Sequence, residues 1–119
     1  MFDVYKTKYQ LIRVGNKGDS GYVVPDLSGF DLYIGGGVGA KYTLEDDYET
    51  IKHFNIKDYK VFDATTRDVP DDADPNYIRK NIGIVNTDTL TNLRKEVENC
   101  SDVFLKMDIE NCEWDWINF

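Results

Sequence analysis

The run Ile34-Gly35-Gly36-Gly37-Val38-Gly39-Ala40 limits the possible folds of this chain more than any other segment. It follows the apolar stretch Asp31-Leu32-Tyr33-Ile34, which reads as a short strand. Beyond it Leu44, Tyr48, Ile51 and Phe54 recur at helical spacing, so an amphipathic helix is expected over residues 43–54. Thr43 is the expected N-cap, with Glu45, Asp46 and Asp47 in the first turn, where the helix dipole favours acids. A strand that turns sharply through glycines into a helix is half of a βαβ unit. The glycines let the backbone turn tightly and approach a neighbour or a ligand closely.

The same succession continues down the chain. Residues 59–63, Tyr-Lys-Val-Phe-Asp, read as the next strand. Residues 77–85 read as a short helix leading into a strand at 82–85. Leu90, Leu93, Val97 and Cys100 mark a second helix face, capped by Thr87 or Asp88. Val103-Phe104-Leu105-Lys106-Met107 is a buried-type strand, and residues 112–119 begin a further helix. Alternating strands and helices with short connections imply a parallel sheet with right-handed crossovers. Residues 1–29 differ. Two β-rich runs, at 9–14 and 22–24, flank the turn-rich Gly15-Asn16-Lys17-Gly18-Asp19-Ser20-Gly21. The expected fold is therefore α/β: an N-terminal hairpin arm (1–29), then a partial Rossmann-like parallel sheet with flanking helices (30–119). The chain stops soon after the fourth strand of the series, so a truncated or minimal domain is expected. The edge along residues 103–107 is then open to self-association unless the arm or a partner covers it.

Composition narrows the function classes. A chain of 119 residues with 41% hydrophobic and 13% aromatic residues can bury a core. Its 22 acids against 14 bases give a net charge of −8, which repels nucleic acid phosphate. No apolar run approaches the roughly 20 residues that span a bilayer, and the first residues lack a signal-peptide pattern. A cytoplasmic protein without nucleic-acid or membrane partners is expected. Cys100 and Cys112 lack metal-type spacing, and His53 has no second histidine beside it, so no metal site is expected.

Three constellations carry possible chemistry. The glycine run fits two nucleotide patterns. Gly35, Gly37 and Gly39 give G-x-G-x-G, as S-adenosylmethionine (SAM) enzymes use, whereas Gly35, Gly37 and Ala40 give a dinucleotide variant. Asp63, at the end of the second strand of the series, is placed to accept hydrogen bonds from ribose hydroxyls, which NAD and SAM both present. Asp108 and Glu110, followed by Glu113, cluster at the mouth of the last strand. Carboxylates there can hold a cation, orient a substrate hydroxyl or amine, or act as a general base. They also suit a plain solvated strand exit, with Lys106 offsetting part of the charge. A weaker fourth group is Arg13 with Gly18-Asp19-Ser20-Gly21-Tyr22, which suits either a loop folding over a ligand or an ordinary hairpin turn.

Taken together, these stretches resemble a known family. Phe104-Leu105-Lys106-Met107-Asp108-Ile109-Glu110-Asn111-Cys112-Glu113-Trp114 resembles the LKxDIEGxEW signature of the FkbM-like methyltransferases. Val61-Phe62-Asp63-Ala64-Thr65 resembles the FDPT of one branch, and Arg13-Val14-Gly15 with Asp19-Ser20-Gly21-Tyr22-Val23 resembles its RxG and DGGYV lead-in. Asn111 and Ala64 stand where the family has glycine and proline. The resemblance implies a SAM-dependent methyltransferase acting on a hydroxyl of a sugar or small molecule. It implies that Gly35, Gly37 and Gly39 line the cofactor and that Asp63 holds its ribose. Asp108 and Glu110 would face the methyl group and the acceptor. The rival expectations are an NAD-type nucleotide-binding fragment and a non-catalytic interaction module.

Overall fold

The two β-rich runs of the arm do pair. In the computed structural model, which describes residues 6–15, 21–39, 41–64, 74–83 and 86–109, β1 (Leu11–Val14) and β2 (Tyr22–Pro25) form an antiparallel pair, with Leu11 opposite Pro25 and Val14 opposite Tyr22. The central strand β3 (Leu32–Gly36) leads through the glycine loop into α1 (Lys41–His53). Next come β4 (Asp58–Phe62), β5 (Tyr77–Ile78), β6 (Asn81–Gly83), β7 (Leu90–Asn92), α2 (Leu93–Glu96) and β8 (Val103–Met107). The main sheet runs β5-β4-β3-β8, and every neighbouring pair in it is parallel. β6 and β7 form a separate parallel pair. The chain is thus α/β, and its described residues form a four-stranded parallel sheet, a smaller parallel pair, two helices and an antiparallel hairpin.

Side chains alternate across a strand, and β3 shows what this achieves. All five of its residues are buried. Tyr33 joins Val14, Val38, Leu44, Ile51, Phe54, Ile56 and Val61 in one core cluster, on the side of α1 and the hairpin. Leu32 and Ile34 point the other way and join Phe62 and Ile82, with Leu93, Val97 and Cys100 packed against them. Such burial on both faces is the usual state of a parallel strand flanked by other elements. Phe30, Phe54 and Phe104 interlock edge-on or tilted, with ring centroids 5.3 to 5.6 Å apart, and Tyr33 stacks on Phe104. At the entry to the sheet, the Asp31 carboxylate accepts hydrogen bonds from the Ser101 and Asp102 backbone N–H groups. The Asp31 N–H donates in turn to the Asp102 carbonyl, so β3 and β8 start level.

Three local expectations change. α1 begins at Lys41, so Thr43 lies inside the helix and Glu45, Asp46 and Asp47 lie past its first turn. No helix forms at 77–83. The Asp74 carboxylate accepts the Asn76 N–H at 2.8 Å and its carbonyl accepts the Tyr77 N–H. That turn delivers Tyr77 and Ile78 extended beside Val61 and Phe62. The helix expected from residue 87 is also shorter. The Thr87 hydroxyl accepts the Leu90 N–H, and residues 90–92 extend alongside β6. The helix starts only at Leu93, where the Asn92 side chain accepts the Arg94 N–H. Leu93, Val97 and Cys100, half-buried, nevertheless pack together against the Leu32, Ile34, Phe62 and Ile82 cluster, although the helix itself ends at Glu96. The hairpin turn at 16–20 and the helix expected from 112 lie outside the described residues.

Glu96 joins the α2 region to the sheet. It accepts the Thr91 hydroxyl at 2.7 Å and pairs with Lys60 at 2.9 Å. Burial alone would raise its carboxyl pKa, but the Thr91 and Lys60 hydrogen bonds outweigh it and hold the group below the usual range.

Val14 is 5% exposed and sits in the cluster of α1 and β3, so the hairpin belongs to the same core as the sheet. Val14→Ala removes two buried methyl-sized groups and should cost about 2 kcal/mol. Urea denaturation followed by circular dichroism tests this. A loss below about 0.5 kcal/mol would mean that the hairpin is not part of the cooperative unit.

Candidate functional site

The parallel register brings the carboxyl ends of three strands to one level. Gly36 of β3 lies beside Phe62 of β4 and Met107 of β8. Numbered along the chain, the four parallel strands stand in the order 3-2-1-4, so the order reverses beside β3. In open parallel sheets this reversal leaves a crevice outside the carboxyl ends, where ligands bind.

The glycine loop starts in that crevice and is held from both sides. The Gly37 N–H donates to the Phe62 carbonyl at 2.9 Å, and the Asp108 N–H donates to the Gly36 carbonyl at 3.0 Å. The Asp63 carboxylate accepts the Gly39 N–H at 2.8 Å, and the Tyr77 hydroxyl donates to the Gly39 carbonyl at 3.0 Å. The Lys106 ammonium reaches the Gly37 carbonyl at 3.5 Å. Gly37 has φ +69° and Gly39 +67°, both in the left-handed region. A Cβ on Gly37 would lie 1.7 Å from the Asp108 carbonyl oxygen. One on Gly35 would lie 2.6 Å from the Asp47 carboxylate.

Gly35, Gly37, Gly39, Asp63 and Asp108 are therefore gathered at one corner. Asp63 is 5% exposed and supports the loop from within, whereas Asp108 is exposed at the strand mouth. Glu110, Glu113, Asp19 and Ser20 lie outside the described residues. His53 faces Asp26 at 3.6 Å on the surface and Cys100 packs on the core, so neither belongs to this corner.

Beside the corner is a cavity of about 540 Å³ that runs along β8. Its walls include five consecutive residues, Phe104 to Asp108, with Tyr22, Val23 and Val24 of the hairpin opposite. The free edge expected at 103–107 thus faces the arm across a cavity. Gly37 borders it, and Asp46, Asp47 and Tyr33 line its inner end. Asp47 is 3% exposed, and its carboxylate accepts the Tyr33 hydroxyl at 2.5 Å. Burial pushes the Asp47 carboxyl pKa up. The nearby Lys106 charge and the Tyr33 hydrogen bond pull it down, and Asp46 adds to the rise. Burial, and then Asp47, keep the Tyr33 hydroxyl protonated far above its ordinary range.

Asp46, Asp47 and Tyr33 were not among the site residues expected from sequence. The signal was there for Asp47. It lies three residues after Leu44 and four before Ile51, on the apolar face of α1. An acid in an apolar stripe is a buried acid, and that calls for a reason.

Compared with known protein families, with curated proteins and with solved structures, the chain finds no match in any of the three.

Gly37→Ala adds both a left-handed Cβ and a clash with backbone. It should lower stability by more than about 3 kcal/mol, or prevent folding, as judged by thermal melting. Retention of the parent melting temperature would mean that the loop does not pass against Asp108. A second prediction concerns pH. Folded Asp47 keeps its proton to higher pH than an ordinary carboxyl of pKa 3.8. Within that window the folded state binds more protons than the unfolded chain, so stability falls as pH rises. Asp47→Asn removes this loss. Its melting temperature relative to the parent should climb as pH rises above about 4. A difference that stays flat between pH 4 and 8 would contradict the buried-acid assignment.

Proposed function

We propose that the chain is a Rossmann-like, SAM-dependent methyltransferase domain that transfers a methyl group to a hydroxyl of a sugar or small molecule. One observation carries the reading. The glycine loop and the Lys106-Met107-Asp108-Ile109 stretch lie about seventy residues apart in the chain, yet they meet backbone to backbone beside the order reversal of the sheet. The first is the glycine pattern of a nucleotide site, and the second is a segment on which the resemblance to FkbM-like methyltransferases rests. Asp63, in a third, ties the loop to the end of β4.

The donor set suits a nucleotide-type cofactor. Gly37 and Gly39 shape a loop whose intervening side chain, Val38, is buried in the core and away from a ligand, and Asp63 holds that loop in place. Gly35 serves it indirectly, by admitting Asp47 under the strand. A ribose diol is the group that the resemblance assigns to Asp63. The bound sulfonium would supply an already activated methyl group. The chain's own residues would align the acceptor and take its proton. Asp108 is the candidate base, because it is exposed beside the loop, with Glu110 in support.

Calorimetric titration with S-adenosylhomocysteine, with NAD as the control, tests the reading. Micromolar binding of the former alone is the expected result. Binding of NAD alone would favour a dinucleotide-binding fragment, and binding of neither by a folded sample would favour a non-catalytic module. Asp108→Asn should leave S-adenosylhomocysteine affinity within about twofold. It should slow methyl transfer to a responsive hydroxyl compound by roughly 10²-fold or more. Unchanged turnover would remove Asp108 from the chemistry.

A further inference from the structure

The cavity beside β8 has features that the cofactor reading does not use. Its outer walls are apolar, from Tyr22, Val23 and Val24 on the hairpin to Phe104 and Leu105 on β8. Several of these side chains remain open to solvent: Val23 is 60% exposed, Leu105 44% and Tyr22 41%. Large apolar side chains facing one another across a gap usually mark a binding surface. The volume of about 540 Å³ lies in the range of small-molecule sites, which pair apolar walls with a few convergent polar groups.

The polar groups at the inner end are mostly of one sign. Asp46 and Asp47 contribute two carboxyl groups there and Asp108 a third at the exposed strand mouth, and Lys106 is the single base among the described residues of the lining. Lys106 already reaches the Gly37 carbonyl. Asp46 and Asp47 are 6% and 3% exposed, so neither has the solvation of a surface acid. A buried carboxylate in an apolar surround is stabilised by a cation placed next to it. Tyr33 fixes Asp47 through its hydroxyl, and the Thr50 hydroxyl donates to the Asp46 carbonyl oxygen at 2.9 Å, so both acids stand on a braced stretch of α1.

We propose that this cavity binds a small organic amine, its ammonium group set against Asp46 and Asp47 and its apolar body between the hairpin and β8. The occupant is an amine because the described residues of the lining carry more acids than bases. It is organic because the walls between the acids and solvent are hydrocarbon. The site does not depend on a cofactor in the glycine corner, so its test contains none.

Three probes share one body and differ in the head group: phenethylamine, phenethyl alcohol and 3-phenylpropionate. Each is titrated into the ¹⁵N-labelled chain while amide shifts are followed. Phenethylamine should shift the amides of Val23, Leu105 and Lys106 and bind at least tenfold more tightly than the alcohol. The carboxylate should not bind. Asp47→Asn should weaken the amine tenfold or more without lowering the melting temperature. Leu105→Lys changes an exposed wall residue, leaves the acids in place, and should also block the amine. Equal binding of amine and alcohol, unchanged amine affinity in Asp47→Asn, or no shift with any probe at millimolar concentration would overturn the proposal. None of these outcomes bears on titration with S-adenosylhomocysteine, so the two readings fail separately.

Discussion

At Gly37 the backbone turns left-handed against the carbonyl of Asp108, and an added Cβ would come within 1.7 Å of that oxygen. Much of the rest depends on this approach. It lets the Asp108 N–H reach the Gly36 carbonyl while the Gly37 N–H reaches Phe62 on the other side. Three strands then end level, and the loop between them is held by backbone bonds where it starts and by the Asp63, Tyr77 and Lys106 side chains beyond. Glycine is required at this point by the packing of the chain itself, before any ligand is considered. A glycine pattern thus carries two meanings at once. Gly37 permits a contact within the protein, and the same contact bares a stretch of loop at the mouth of the sheet.

The inner acids are the counterpart of that tight packing. Asp47 fits beneath β3 because Gly35 has no side chain, and the space is shared with the Tyr33 hydroxyl. Placing two carboxyl groups on the buried side of α1 opposes folding, since their charged forms lose water. Lys106 and Tyr33 offset part of this cost for Asp47. Glu96 makes a useful contrast. It is also partly buried, but Thr91 and Lys60 hydrogen-bond to it and hold it ionised. One acid is satisfied by its neighbours and the other is held against its own ionisation. Acids of the second kind tend to be found where a protein binds something or moves a proton.

Much of the architecture was legible in the sequence because it rests on periodicity. The hairpin and α1 follow from loose alternation and a period-3.6 pattern, and the central strand and β8 from short apolar runs bounded by Gly, Pro and Asp punctuation. The misreadings arose where a side chain, rather than a pattern, decided the local path. Asp74 turns the chain into β5, and Thr87 diverts residues 90–92 into a strand before Asn92 starts the short helix. Apolar spacing alone does not separate a short strand from a helical turn. In the site, the glycine loop, Asp63 and Asp108 could be named from sequence because they follow strand ends. The cavity could not, since it needs the hairpin opposite β8 and no pattern gives that pairing.

The Asp31 bonds to Ser101 and Asp102 join residues 70 and 71 positions apart. They stand at the start of a β3–β8 pairing that is equally distant in sequence, from Leu32↔Val103 onward. Closing a loop of that length costs entropy before the strand contacts return anything, so pairings of this kind form late in folding. β3, α1 and β4 are close neighbours in sequence and can assemble without β8. β8 leads directly into Asp108 and supplies one wall of the cavity. A species that has docked α1 on β3 and β4 but not yet β8 would have part of the core, but neither the contact of the glycine loop with Asp108 nor the β8 wall of the cavity.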